Sequence, residues 1–377
     1  MRYRTLDAAR PDDLAAWLAL WQRWPGREVQ AHPEYARLFA RTCDRVVCAV
    51  GEGPGGAVLF PLILRPIAAE PWARPGELRW DAVTPYGYGG PYTWGEEPRD
   101  HAAFWRAHEA WCADERLVST FARLSLFPEQ LAAMPGRVEP RAPNIAVPLD
   151  GGSEALWRGY DSRVRKWVRV AQAAGLHVEL DRDAARLDAF IDVYRHTMER
   201  TGAEPWYFFP RSFFEALVAR LRGYYAFFHT LREGEVVSSD LVLCSVENVY
   251  YFLGGTRAEA FPLGPNYLLK HHIACWASSE GMRRYVLGGG YVPGDGLFRY
   301  KRGFARAGEV PFRAACVTHD ALAYADLVRR RAEFASLTGA SWEPRPGFFP
   351  SYRATQAASV APTEPASSPR ASTPAPR

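Results

Sequence analysis

The sequence is poor in lysine. Only Lys166, Lys270 and Lys301 stand among 46 basic residues in 377, and all the others are arginine. With so much Ala, Arg, Pro and Gly, this reads as a coding bias that turns Lys into Arg wherever either serves, so the three survivors are worth watching. Cysteine is sparse too. Six are scattered, with no C-x-x-C and no Cys/His pair at zinc spacing, which excludes a disulfide scaffold and a recognisable zinc site. Several, such as Cys244 and Cys275, lie in apolar runs and read as buried free thiols of a reducing compartment. No run reaches 18 apolar residues and the N-terminus has no apolar signal stretch, so a cytoplasmic protein without a transmembrane segment is expected. Also missing are a phosphate-binding G-x-x-x-x-G-K-[ST] loop, a G-x-G-x-x-G opening a long helix, and any Ser/His/Asp or Cys/His arrangement. A net charge of +4 falls well short of a dedicated nucleic-acid binder.

What is present is a large apolar endowment, 48% hydrophobic residues and 13 Trp, in a chain long enough for two domains. Residues 11–24 open with Pro and two acids and then repeat apolar residues at helical spacing. A second helix is expected over residues 32–43. Strand-like runs follow at 45–53 and 56–67 with a glycine turn between them, then a strand entering a Gly/Pro/Tyr loop at 78–95. A helix is predicted at 101–115, then strands near 119–127 and 142–150. The second half starts with one long basic helix from 154 to Gly175, then a strand at 176–181, helices at 184–201 and 210–223, and three strands between 224 and 257. A helix at 266–281, a strand ending at Gly289 and a glycine-rich loop lead into residues 296–305. The reading is an α/β (α+β) chain of two lobes of related build, 1–150 and 151–335, each a mixed twisted sheet flanked by helices. The Ala/Ser/Pro-rich tail, 351–377, is expected to be disordered.

The order meander, loop, helix, strand, loop between Tyr224 and Phe304 is that of a GNAT acyltransferase core. Within it stand Tyr250 and Tyr251 on a strand ending in Gly254 and Gly255, and Trp276 and Ala277 in a helix closed by Gly281. A strand ending in Gly288 and Gly289 follows, then Tyr300, Lys301, Gly303 and Phe304. This pattern resembles the second domain of the Fem (FemABX) family, aminoacyl-tRNA-dependent peptidyl transferases built from two GNAT-like domains. The basic helix with Arg163, Arg165, Lys166 and Arg169, and the segment DAVTPYGYGGPY in the first half, extend the resemblance over roughly residues 30–315.

The resemblance implies aminoacyl transfer from aminoacyl-tRNA to the amine of a peptidoglycan precursor or peptide-like metabolite. The acceptor is small or lipid-linked, contact with the inner membrane would be peripheral, and neither cofactor nor metal is needed. Lys301 is the catalytic candidate, because an ammonium can stabilise the oxyanion that forms when an amine attacks an ester. Asp81, Tyr86 and Tyr88 belong to the first-domain loop suited to a polar acceptor. Arg200, Tyr207 and Arg211 lie where the resemblance puts acceptor binding, and Asn266 and Tyr300 complete the substrate-binding set. Arg163, Lys166 and Arg169 are candidates for tRNA phosphates, against the plain alternative of a solvated helix face. Asp295 reads as a turn residue. Two other readings stay open: an acetyl-CoA-dependent N-acyltransferase and a non-catalytic scaffold. The first is weakened by Gly264-Pro265, which puts a residue without N–H where a CoA-binding turn should donate.

Overall fold

The computed structural model describes residues 1–95, 101–290, 292 and 294–355. The strands are β1 (Arg2–Asp7), β2 (Arg45–Gly53), β3 (Gly56–Pro66), β4 (Trp80–Val83), β5 (Tyr92–Gly95), β6 (Leu117–Arg123), β7 (Arg137–Pro148), β8 (His177–Asp181), β9 (Tyr225–Arg232), β10 (Glu235–Cys244), β11 (Asn248–Thr256), β12 (Arg284–Gly288) and β13 (Glu309–Thr318). The helices are α1 (Pro11–Arg23), α2 (Pro33–Leu38), α3 (Ala102–Asp114), α4 (Gly152–Gly159), α5 (Ser162–Ala173), α6 (Leu187–Thr201), α7 (Arg211–Arg220), α8 (Pro265–Ser279), α9 (Gly296–Arg302) and α10 (Ala321–Leu337).

The two expected sheets are one. The strands follow the order β1-β2-β3-β4-β6-β13-β7-β12-β11-β10-β9-β8, with β5 pairing β3 beside this path. The halves join by sharing strands. β7 pairs β13 along most of its length and β12 through Ile145–Pro148, while β13 returns to lie between β6 and β7. Helices cover both faces, so β10 is buried almost continuously from Val236 to Leu243 instead of alternating. One core packs α4, α5 and α8 on the sheet through Leu156, Val168 and Ile273. Another, with Tyr35, Phe190, Phe214 and Phe227, ties α2 of the first half to α6 and α7 of the second.

Three local expectations need correction. The long basic helix is two helices. Tyr160 takes an extended backbone with its ring buried against His271 and Phe304, and the Asp161 N–H is held by Gly303 O at 2.8 Å, so the chain turns before α5 starts. The tail does not begin at 351. Tyr352 is fully buried and donates to or accepts from Ser119 Oγ at 2.8 Å, so residues 351–355 belong to the folded body. Residues 356–377 lie outside the described residues. Finally, α10 was not anticipated. Asp320 caps it by accepting from the Ala323 N–H at 2.8 Å, and Leu327 packs with Ile67, Trp72 and Val118.

All six cysteines are unpaired. Among the described residues no helix is long and apolar enough to cross a membrane, and no cluster of His, Cys, Asp and Glu could hold a metal ion.

Candidate active site

β11 and β12 run parallel but pair only at three positions, Asn248 with Arg284 through Tyr250 with Val286. β11 then continues to Thr256, whereas β12 ends at Gly288. The strands part, and a cavity of about 950 Å³ opens between them and the first half of the chain. Tyr251, Leu253, Asn266, Lys270, Gly288 and Lys301 are among its walls.

Lys301 reaches this cavity from α9. The helix starts at Asp295, whose carboxylate accepts from the Phe298 N–H at 2.6 Å and the Val292 N–H at 3.2 Å, a capping role that matches the turn reading. Phe298 and Lys301 are the buried face of this short helix. The Lys301 Nζ donates to Gly289 O at 2.6 Å, beside the left-handed turn that ends β12. Gly288 has φ +78°, and a Cβ there would stand 3.5 Å from the Lys301 Nζ and 3.6 Å from Asn144 Oδ1. Tyr88 donates to the same Asn144 Oδ1 at 3.1 Å, so a phenol, an amide and an amine converge across the two halves. Burial, and then the like charge of Lys270, push the Lys301 ammonium down to about 7.

Lys270, on α8, is buried and ion-paired with the buried Asp240 of β10. Burial pushes the carboxyl up and the ammonium down, and their mutual attraction opposes both shifts. The two lysines share the ring of Tyr251, with the Lys270 Nζ 3.9 Å and the Lys301 Nζ 5.5 Å from its centroid. Gly254 makes room for the pair, since a Cβ there would lie 2.2 Å from Asp240 Oδ1.

The predicted residues divide. Tyr86, Tyr88, Arg200, Tyr207, Asn266 and Tyr300 line the cavity with Lys301. Tyr300 donates to Asn266 O at 3.2 Å, and the Arg200 guanidinium lies 4.7 Å from the centre of the Phe261 ring. Asp81 does not line it. It is 0% exposed and held between Arg65 at 2.7 Å and Arg353 at 2.7 Å, so it orients arginines rather than meeting a substrate. Arg211 also lies outside the cavity lining, exposed at the start of α7 and ion-paired with Asp188 and Glu215. Arg163, Lys166 and Arg169 are exposed on α5, outside the cavity. Arg165 instead donates to Tyr160 O at the end of α4. Trp167 of α5 packs on Gly264 and stacks on Tyr267, which abuts Tyr300, so the basic helix adjoins the lip formed by α8 and α9.

Sequence reasoning singled out Lys270 as a rare lysine without giving it a place in the site, and missed Asp240 and Asn144. The scarcity of lysine marked Lys270 as plainly as Lys301. Asp240 and Asn144 sit in strands with no motif around them.

Residues 160–302 match the family model described as an acetyltransferase (GNAT) domain. Among solved structures the chain is similar to FemX, with 14% identity and a TM-score of 0.58 over 83% of this chain and 97% of that one. It is also similar to a conserved protein of unknown function from Bacteroides thetaiotaomicron, with 11% identity and a TM-score of 0.52 over 84% and 100% of the two chains. No curated protein matches it. At these identities the likeness to solved structures is one of fold. With a GNAT domain over residues 160–302 and a FemX-like fold over most of its length, the chain has the fold of a Fem-like GNAT acyltransferase.

Proposed function

We propose that this chain forms amide bonds by moving an aminoacyl group from aminoacyl-tRNA to the amine of a peptidoglycan precursor or a peptide-like metabolite. The observation that carries the reading is Lys301, a buried amine titrating near 7 on the wall of the cavity where β11 and β12 part. In the reaction the acceptor nitrogen bonds to the ester carbonyl carbon and the carbon–oxygen bond to the tRNA ribose breaks. The nitrogen loses one proton and the ribose oxygen gains one. The Lys301 ammonium counters the oxyanion that develops on the carbonyl and is a proton source for the departing ribose oxygen. Tyr86, Tyr88, Arg200, Tyr207, Asn266 and Tyr300 would hold the acceptor and the aminoacyl group around it. Arg163, Lys166 and Arg169, exposed beside the α8–α9 lip, would attract the tRNA backbone.

The description of the matching family favours a second donor, acetyl-CoA. Against it, the first turn of α8 has few amides to give an anion. The Gly264 N–H is bonded to Phe261 O at 3.1 Å, Pro265 has none, and the Tyr267 N–H is bonded to Gly264 O at 3.1 Å. Product mass separates the donors. Purified protein is incubated with charged tRNA mixtures or acetyl-CoA and a panel of amine acceptors that includes cell-wall precursors. An aminoacyl increment abolished by RNase is expected. An acetyl increment indifferent to RNase would overturn the choice of donor.

A further inference from the structure

The cavity carries a cationic excess. Among the described residues that line it, seven are Lys or Arg and one is a carboxylate, Asp240, which Lys270 matches. Behind the lining Asp81, Glu70 and Glu139 pair with Arg65, Arg353 and Arg141, which leaves Arg123, Arg200 and Lys301 without a carboxylate among the described residues. Three of the guanidiniums, Arg65, Arg123 and Arg141, gather on the wall built by β3, β6 and β7. β13 lies between β6 and β7 and pairs Ala314 with Arg123 and Phe312 with Arg141, so the two arginines flank one strand. Both guanidiniums lie on the ring of Phe121, at 5.2 and 5.8 Å from its centre.

Their partners account for them only in part. Arg65 gives its Nε to Asp81, and its Nη2 is buried without a hydrogen-bond partner among the described residues. Arg141 meets Glu139 at 3.0 Å and Gly347 O at 3.3 Å. Arg123 has no carboxylate or hydrogen-bond acceptor for its guanidinium among the described residues, and Arg65 and Arg141 add like charge to its desolvation. The C-terminal segment closes over this wall. Phe348, Phe349 and Pro350 line the cavity there, and Arg353 holds the Asp81 that aims Arg65. Arg123 without a carboxylate and the spare Nη2 of Arg65 are unfavourable in a desolvated wall until an anion joins them, and the planar forks fit the oxygens of phosphate and carboxylate.

We propose that Arg65, Arg123 and Arg141 form a subsite for an oxyanion carried by the acceptor, a phosphate or carboxylate lying along the cavity from the amine that reacts at Lys301. That the anion belongs to an acceptor rests on the transfer reading above. The anion site itself does not.

Isothermal titration calorimetry on the full chain at low salt, with inorganic phosphate, pyrophosphate and succinate, tests the site and separates phosphate from carboxylate. Saturable binding of at least one anion is expected. It should weaken roughly tenfold or more in Arg123→Gln and in Arg141→Gln, and survive in Lys301→Ala. Arg211→Gln, a surface change, should leave it unaltered. Arg141 keeps about a quarter of its side-chain surface exposed, so its variant decides the matter if Arg123→Gln fails to fold. Binding of none of the three anions, or binding equal in wild type and both arginine variants, would overturn the subsite. In transfer assays Arg123→Gln should raise KM for the acceptor far more than it lowers kcat. Transfer with an unchanged KM would sink the subsite and leave the transferase reading standing. Anion binding that depends on Arg123, with no transfer to any acceptor, would sink that reading instead.

Discussion

Replacing Lys270 with methionine should release Lys301 from its depressed titration. The nitrogens of Lys270 and Lys301 lie 3.9 and 5.5 Å from the centre of one tyrosine ring. They are therefore no more than about 9 Å apart, and at an effective dielectric constant of about 20 two unit charges at that distance repel by about 2 kcal/mol. Removing the charge of Lys270 should raise the midpoint of Lys301 from about 7 by about one pH unit. At pH 7.5 the protonated fraction of Lys301 would grow from roughly a quarter to roughly three quarters. Methionine keeps most of the volume but strands Asp240 in the core, a loss of about 3 to 5 kcal/mol of stability. Combining Lys270→Met with Asp240→Asn should recover part of that loss and give a smaller rise in the midpoint, because Asp240 itself favours the charged form of Lys301. Peptide-resolved labelling with an amine-reactive reagent across pH 5 to 11, read by mass spectrometry, follows Lys301 directly and needs no substrate. The falling limb of the transfer rate above pH 7 should move up by the same unit. A wild-type midpoint near 10, or one indifferent to Lys270→Met, would refute the reasoning.

Acid should unfold the protein through its buried histidines. Burial lowers His32 to about 4, His108 to about 3 and His319 to about 4, so each binds its proton in the unfolded chain first and stability falls as pH drops below about 6.5. At pH 4.5 each should withdraw about 2 to 3 kcal/mol, and circular dichroism should show unfolding between pH 4 and 6; a native spectrum at pH 4 would contradict this. Asp81→Ala should lose about 3 kcal/mol or more in denaturant unfolding, since Arg65 and Arg353 are left without their shared carboxylate. A loss under 1 kcal/mol would show that neither arginine depends on it. The triple change of Arg163, Lys166 and Arg169 to Gln should weaken tRNA binding and flatten its dependence on log salt concentration by about 0.7 to 0.9 per lost phosphate contact, with the fold intact. An unchanged slope would take α5 out of the RNA contact.

The second half was the more legible, for a physical reason. Its hydrophobic periods, the glycines that end β11 and β12, and the Tyr300–Phe304 signature are all short-range features, and they correctly set the elements around Lys301. Strand sharing between β7 and β13 is a long-range pairing that no local pattern encodes, so two separate sheets were expected where one is formed. The break before α5 depends on Gly303, 142 residues away from Asp161 in the chain, holding the Asp161 N–H. By contrast α10 was readable, from Asp320 as cap and its apolar spacing, but lies beyond the motifs that drew attention. Along the cavity wall, Tyr86 and Tyr88 were singled out by their glycine-rich loop, and Lys301 by its signature and the scarcity of lysine. Asp240, Asn144, Arg123 and Arg141 were not, because a polar residue in a strand shows its partner only when the neighbouring strands are placed. Asp81 illustrates the converse: its loop suggested contact with an acceptor, and folding surrounds it with arginines.

The central claim, that Lys301 carries amide-forming acyl transfer in the cavity at the splay of β11 and β12, is tested most directly by single-turnover transfer in wild type and Lys301→Ala, with circular dichroism and thermal unfolding as controls for fold. Loss of one oxyanion-stabilising group predicts a rate lower by about 10²- to 10³-fold, with both controls unchanged. A transfer rate within threefold of wild type in the folded variant would contradict the account and move the chemistry away from Lys301.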